Sequence, residues 1–235
     1  MHLPPTTHTP QLPAEAGTPM ANLVPGRLEI LRDVLRNLGF AGMTRLLGRN
    51  AASVNHYYIL YVTLSDLPLT PPKCLGGSAL QLLRPEEMGQ LYTSLPSLAI
   101  DDRRELLSRL LFYKSGFRNC YAMKAGDAIA YLQWLVLPSE NSVITKDYGR
   151  KFLPLNPKEV MIENSFTFPD YRGRGFLSFG TWQLLNTAKE LGYKRAVAYI
   201  RKDRIDPLNC FLRLGFMIKR IVREYKVLGY GWRSL

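Results

Sequence analysis

The stretch "TFPDYRGRGFLSFG", residues 167–180, decides the reading of this chain. An extended apolar run enters a Pro-Asp turn, two arginines alternate with two glycines, and a helical pattern follows. A helix N-terminus carries unpaired backbone N–H groups and a partial positive charge, which together favour phosphate. Gly173 and Gly175 keep side chains out of the way of a ligand, and Arg172 and Arg174 add charge and paired donors. Such a turn suits a pyrophosphate. It lacks the Lys-Ser/Thr of a P-loop, which argues against an NTPase, and it lacks the third glycine and the βαβ context of a dinucleotide fingerprint. Tight turns also form wherever a strand simply meets a helix, so the neighbouring residues have to decide.

Working outward, "KEVMIENSFTF" (158–168) reads as the strand that feeds the turn. Leu177, Leu184, Ala188 and Leu191 give the following helix one apolar face, and Gly192 ends it. "RAVAYI" (195–200) is a strand, "DPLNCFLRLGF" (206–216) a short helix closed by Gly215, and 217–228 a last strand or hairpin arm. Upstream, "NCYAMKAGDAIAYLQWLVL" (119–137) is a hairpin about Lys124-Ala125-Gly126-Asp127. Asp101 and Asp102 cap a helix whose apolar side is Leu106, Leu107, Leu110 and Leu111. Pro85 opens another that runs to about Leu95, and "ALQLL" (79–83) is a short strand. From residue 79 the order is β-α-α-β-β-β-α-β-α-β.

Three parts are expected. Residues 1–25 hold six of the 16 prolines and read as a disordered leader, with Met20 as an alternative start. Residues 26–77 form an N-terminal extension and linker. They include a helix over 26–49 with Leu28, Leu31, Leu35 and Leu38 on one face, a β-like stretch at 56–68, and a Pro/Gly-rich linker at 68–77. Residues 78–235 form the main domain.

The formal charge is +12, and from Asp170 onward 14 Lys or Arg face 5 Asp or Glu. Such a balance suits a polyanionic partner or phosphorylated cofactor. No recognition motif supports nucleic acid as that partner. No apolar run is long enough to span a membrane, no secretory pattern opens the chain, and Cys74, Cys120 and Cys210 fit reduced thiols, so a cytoplasmic protein is expected. The scattered His2, His8 and His56 predict no metal site.

"MIENSFTFPDYRGRGF" resembles the central motif of the GNAT superfamily of acyl-CoA-dependent N-acyltransferases, whose Arg/Gln-x-x-Gly-x-Gly/Ala loop falls on Arg172–Leu177. "RIDPLNCFLRLGF" (204–216) is similar to the family's companion motif, and the element order over about 79–228 matches as well. The resemblance implies an α/β (α+β) fold, with a mixed, mostly antiparallel central sheet flanked by helices and splayed at the cofactor site. It implies transfer of an acyl group, from acetyl-CoA or a longer acyl-CoA, to a primary amine of a small-molecule acceptor. An acidic acyl carrier protein is an alternative donor, and a non-catalytic CoA-binding module an alternative role; an oligomer is compatible with either.

Cofactor binding would fall to Phe166, Thr167, Arg172, Gly173, Arg174, Gly175, Phe176 and Leu177. Free backbone groups of the strand at 163–168 would pair with the pantetheine amides. Glu163, which by strand parity shares a face with Ser165 and Thr167, would act as general base. Three positions depart from the family pattern: Leu177 replaces Gly/Ala, Arg204 replaces Asn, and Phe211 replaces the general-acid Tyr. Tyr199 or Tyr171 would then supply the proton, or the thiolate leaves unassisted. Cys210 reads as a buried, inert thiol.

Overall fold

The computed structural model describes residues 52–227 and 230–235, together with positions 32, 35 and 36, which are helical and exposed. The leader at 1–25, the Met20 start and the rest of the 26–49 helix lie outside the described residues.

The described chain runs β1 (Ala52–Thr63), β2 (Gln81–Leu82), α1 (Pro85–Ser94), α2 (Ile100–Lys114), β3 (Cys120–Ala125), β4 (Ala128–Val136), a stretch of short helical turns over 138–148, β5 (Glu159–Thr167), α3 (Phe176–Glu190), β6 (Arg195–Arg201), α4 (Ile205–Arg213), β7 (Met217–Val227) and β8 (Tyr230–Arg233). The strands form one sheet in the order β2-β3-β4-β5-β6-β1-β7-β8. Every pairing is antiparallel except β5 with β6. This is the expected mixed, mostly antiparallel sheet.

Four details differ from the sequence reading. β1, assigned there to the N-terminal extension, pairs with β6 on one side and β7 on the other, so the sheet does not begin at residue 78. A strand whose partners lie far along the chain carries no local sign of which sheet it joins. β5 and β6 are parallel neighbours joined by α3, so the arginine turn does sit in a βαβ crossover. The position before α2 is Ala99, and Asp101 and Asp102 lie in the first helical turn, where their charge favours the positive helix end without capping it. The buried stripe of α3 is Phe176, Gly180, Thr181, Leu184, Leu185 and Ala188, while Leu191 ends the helix exposed.

Alternation along the strands divides the core into two layers. Leu132, Trp134 and Val136 of β4 pack with Leu106, Leu107, Leu110 and Phe112 of α2 on one face. Leu135 joins Leu184, Leu185 and Ala188 of α3 and Phe211 of α4 on the other. Two helices thus cover each face of the sheet.

Candidate active site

The sheet separates between β5 and β6. They pair at Glu159↔Arg195, Val160↔Ala196 and Met161↔Val197, and nowhere beyond. A bulge explains why. On β4, Trp134 faces Glu163 and Leu132 faces Phe166, so one residue of β4, Gln133, opposes two of β5, Asn164 and Ser165. The extra residue is Asn164, whose φ is +54°. Bulges bend and twist the strand that carries them, and here the bend takes β5 away from β6. The same count shifts parity: Glu163 shares a face with Phe166, not with Ser165 and Thr167 as simple alternation predicts.

The gap opens into a cleft of about 1060 Å³. Ten of the eleven residues given a role from the sequence line it: Glu163, Phe166, Thr167, Tyr171, Arg172, Gly173, Gly175, Phe176, Leu177 and Tyr199. Arg174 does not. Its guanidinium stands over the Tyr171 ring at 5.4 Å, while its carbonyl accepts from the Leu75 N–H at 2.9 Å. Residues 73–75 thus form a strap along the back of the turn. A Cβ on Gly175 would lie 2.2 Å from the Lys73 carbonyl oxygen, whereas one on Gly173 would meet open space. Both glycines have positive φ, +75° and +89° in chain order, and Gly175 is the residue immediately before α3. The Gly173 position is therefore open on the cleft side, whereas Gly175 leaves room for the strap.

Three arginines tie the cleft walls together. Arg172 is ion-paired with Asp102 of α2 and donates from Nε to the Thr167 carbonyl at 3.2 Å. Arg204 reaches Glu105 of α2 at 2.5 Å. Arg109 of α2 donates from Nη2 to the Ser165 carbonyl at 3.2 Å and from Nη1 to the Glu105 carbonyl at 3.0 Å. Two β5 carbonyls expected to be free for a pantetheine arm are thus occupied by side chains, which a pattern of strand residues does not reveal.

At the other end, Glu163 accepts a hydrogen bond from the Asn164 N–H at 2.9 Å. Burial raises its pKa above the usual carboxylate range, against the opposing pull of Arg233, that N–H and Arg109. Tyr199 is pushed up to about 12, chiefly by burial, and its hydroxyl accepts from the Leu153 N–H at 3.2 Å, leaving its own proton to donate. Phe211 and Cys210 are buried and line the cleft, and burial pushes the Cys210 thiol up, away from reactive thiolate.

Sequence reasoning missed one group here. Arg233 of β8 is ion-paired with Glu224 of β7 at 3.2 Å, directly across the strand pair, and both are nearly fully buried. Arg233 also donates to the Lys151 carbonyl at 3.0 Å and stacks 3.8 Å over the Tyr57 ring. Lys226 closes on Glu224 at 3.2 Å. Burial pushes Glu224 up, but Arg233 and Lys226 outweigh it and hold the carboxyl below its usual value. The available signal was the alternation in "REYKV" (223–227), which turns Glu224 and Lys226 to one face.

Among the described residues no group of three or more His, Cys, Asp or Glu is placed to hold a metal ion, and no helix is long and apolar enough to cross a membrane.

No protein-family model and no curated protein matches the sequence. Solved structures do match. A GCN5-related N-acetyltransferase from Sphaerobacter thermophilus aligns with a TM-score of 0.53 at 13% identity, over 82% of this chain and 58% of its own. The GCN5-related glucosamine N-acetyltransferase region of a fungal multi-domain beta-N-acetylglucosaminidase gives 0.55 at 12%, over 79% of this chain and 22% of that one. A Drosophila protein gives 0.51 at 12%, over 81% and 58%. The chain spans less than two thirds of each of these three proteins. At these identities the likeness is one of architecture, and this chain has the fold of the GNAT N-acetyltransferases.

Proposed function

We propose that the protein is an N-acyltransferase that moves an acyl group from a pantetheine thioester, acetyl-CoA or a longer acyl-CoA, to the primary amine of a small acceptor. The observation that carries this reading is the end of β5–β6 pairing after Met161↔Val197, directly beside a glycine turn at the N-terminus of α3. An extended amide-bearing arm fits such a gap as an added strand would. The turn offers α3 backbone N–H groups, the Gly173 cradle and Arg172 to the pyrophosphate. Binding there requires Arg109 and Arg172 to give up the Ser165 and Thr167 carbonyls or to share them.

Acyl transfer to an amine needs the neutral nucleophile. Glu163, a carboxylate kept basic by burial, takes the ammonium proton directly or through water. The amine then attacks the thioester carbonyl, the C–S bond breaks, and the thiolate leaves with a proton from Tyr199 or from solvent.

Calorimetric titration of CoA and acetyl-CoA tests donor binding, and release of free CoA thiol with a panel of amines tests transfer. Acetyl-CoA, octanoyl-CoA and an acylated carrier protein are run side by side. CoA binding with amine-dependent thiol release supports the reading; CoA binding without release from any donor leaves a binding module; no binding of any donor overturns it.

A further inference from the structure

The reaction above leaves Lys151 without a task. It follows the helical turns after β4 and lines the cleft near Glu163 and Tyr199. Its side chain is largely withdrawn from solvent, and burial lowers its pKa, against the pull of Glu224 and Glu163. Yet no carboxylate among the described residues is in ion-pair contact with its Nζ, which stands over the face of Tyr148 at 5.8 Å. The neighbouring charges are already engaged. Glu224 is shared between Arg233 and Lys226, and Glu163 accepts from Asn164. A half-buried ammonium without a counterion is costly unless a ligand supplies one.

A plain amine entering this end of the cleft meets Glu163 favourably but is repelled by Lys151, Lys226 and Arg233. A molecule bearing both signs satisfies both sets. We propose, resting on the N-acyltransferase reading, that the acceptor is amino-acid-like. It carries a carboxylate bound by Lys151 and an amine presented to Glu163, with the rings of Tyr57, Tyr148 and Phe152 beside its side chain. Arg233 is the positioning residue: its bond to the Lys151 carbonyl and its pair with Glu224 fix the backbone from which Lys151 extends.

The test compares the standard L-amino acids, each beside the amine that lacks its carboxylate, with acetyl-CoA and octanoyl-CoA as donors. Wild type, Lys151→Met and Lys151→Arg are assayed. A charge-assisted contact of this kind is worth roughly tenfold or more in affinity. At least one amino acid should therefore outperform its decarboxylated partner by that factor in kcat/KM. Lys151→Met should raise its KM similarly with kcat little changed, should lower the KM of the decarboxylated amine by removing a repelling charge, and Lys151→Arg should restore amino-acid binding. The proposal is overturned if decarboxylated amines are used as well as amino acids, or if Lys151→Met lowers kcat without moving KM. A calorimetric arm titrates the same amino acids into CoA-saturated and CoA-free protein. Amino-acid binding that depends on Lys151 without any turnover upholds the site and sinks the transferase reading. Turnover of plain amines with no amino-acid binding or turnover does the reverse.

Discussion

Arg172, in the turn ahead of α3, is ion-paired with Asp102 in the first turn of α2, so the two walls of the cleft are joined across its mouth. The same guanidinium is the natural partner of a pyrophosphate bound at the turn, and it cannot serve both carboxylate and phosphate fully. Asp102→Asn should therefore tighten CoA binding by roughly two- to fivefold, the worth of a part-exposed ion pair. Arg172→Ala should weaken it. Added salt should shrink both effects. Calorimetry reads all of these, and unchanged or weaker CoA affinity in Asp102→Asn would show that the pair does not compete with ligand.

The two glycines of the turn should respond differently to the same methyl group. Gly175→Ala forces a left-handed residue with a side chain, about 1–3 kcal/mol of strain, and drives its Cβ into the Lys73 carbonyl. Thermal denaturation should show a large loss of stability. Gly173→Ala carries the backbone strain alone, because its Cβ meets open space, so it should stay folded and lose CoA affinity as the methyl enters the cradle. Equal stability losses in the two variants would contradict the strap.

Tyr199 and Phe211 are competing explanations of how the thiolate receives a proton. Tyr199, with its pKa at about 12, stays protonated across the working range, so it should add no falling limb to the pH profile. If it donates to the thiolate, Tyr199→Phe should reduce turnover by roughly 10²- to 10⁴-fold. Phe211→Tyr restores a hydroxyl where the GNAT pattern has one, in a ring packed 4.9 Å from Phe216. A faster Phe211→Tyr enzyme together with a near-normal Tyr199→Phe enzyme would remove Tyr199 from the chemistry and identify the missing acid as rate-limiting.

Much of the architecture was legible because it is written locally. The 119–137 hairpin announces itself through alternating runs about Gly126, whose φ of +62° the turn requires. Both later helices end at glycines with positive φ, Gly192 and Gly215, as expected. What was not legible depends on partners brought from afar. Nothing within Ala52–Thr63 says that it will lie between β6 and β7. The bulge at Asn164 arises from pairing with β4, and it alone changes which residues share a face with Glu163. Arg233 and Glu224 meet only because β7 and β8 pair in that register, and Lys151 reaches the same cleft from a stretch without periodicity.

Glu163 offers a test in which stability and catalysis must move in opposite directions. Its folded pKa is raised by burial, so the folded protein holds this proton more tightly than the unfolded chain does. The sign follows from linkage: the group's contribution to stability is fully present below the ordinary carboxyl pKa and is lost as pH rises through the folded value. At neutral pH the ionised carboxylate is thus a cost that Glu163→Gln removes. The variant should melt at a higher temperature than wild type at pH 7, and the difference should vanish below about pH 4. Turnover should fall by roughly two orders of magnitude or more, the worth of a positioned general base, with CoA affinity nearly unchanged if the donor is held as proposed, by the turn and by β5 backbone groups. In wild type the rate should decline toward low pH with a midpoint above the ordinary carboxylate range, and this limb should be absent from the variant. The deficit should narrow as pH rises and free amine becomes abundant. Full turnover by Glu163→Gln at neutral pH would take Glu163 out of proton transfer, leaving a pre-deprotonated amine and its orientation in the cleft as the remaining source of rate.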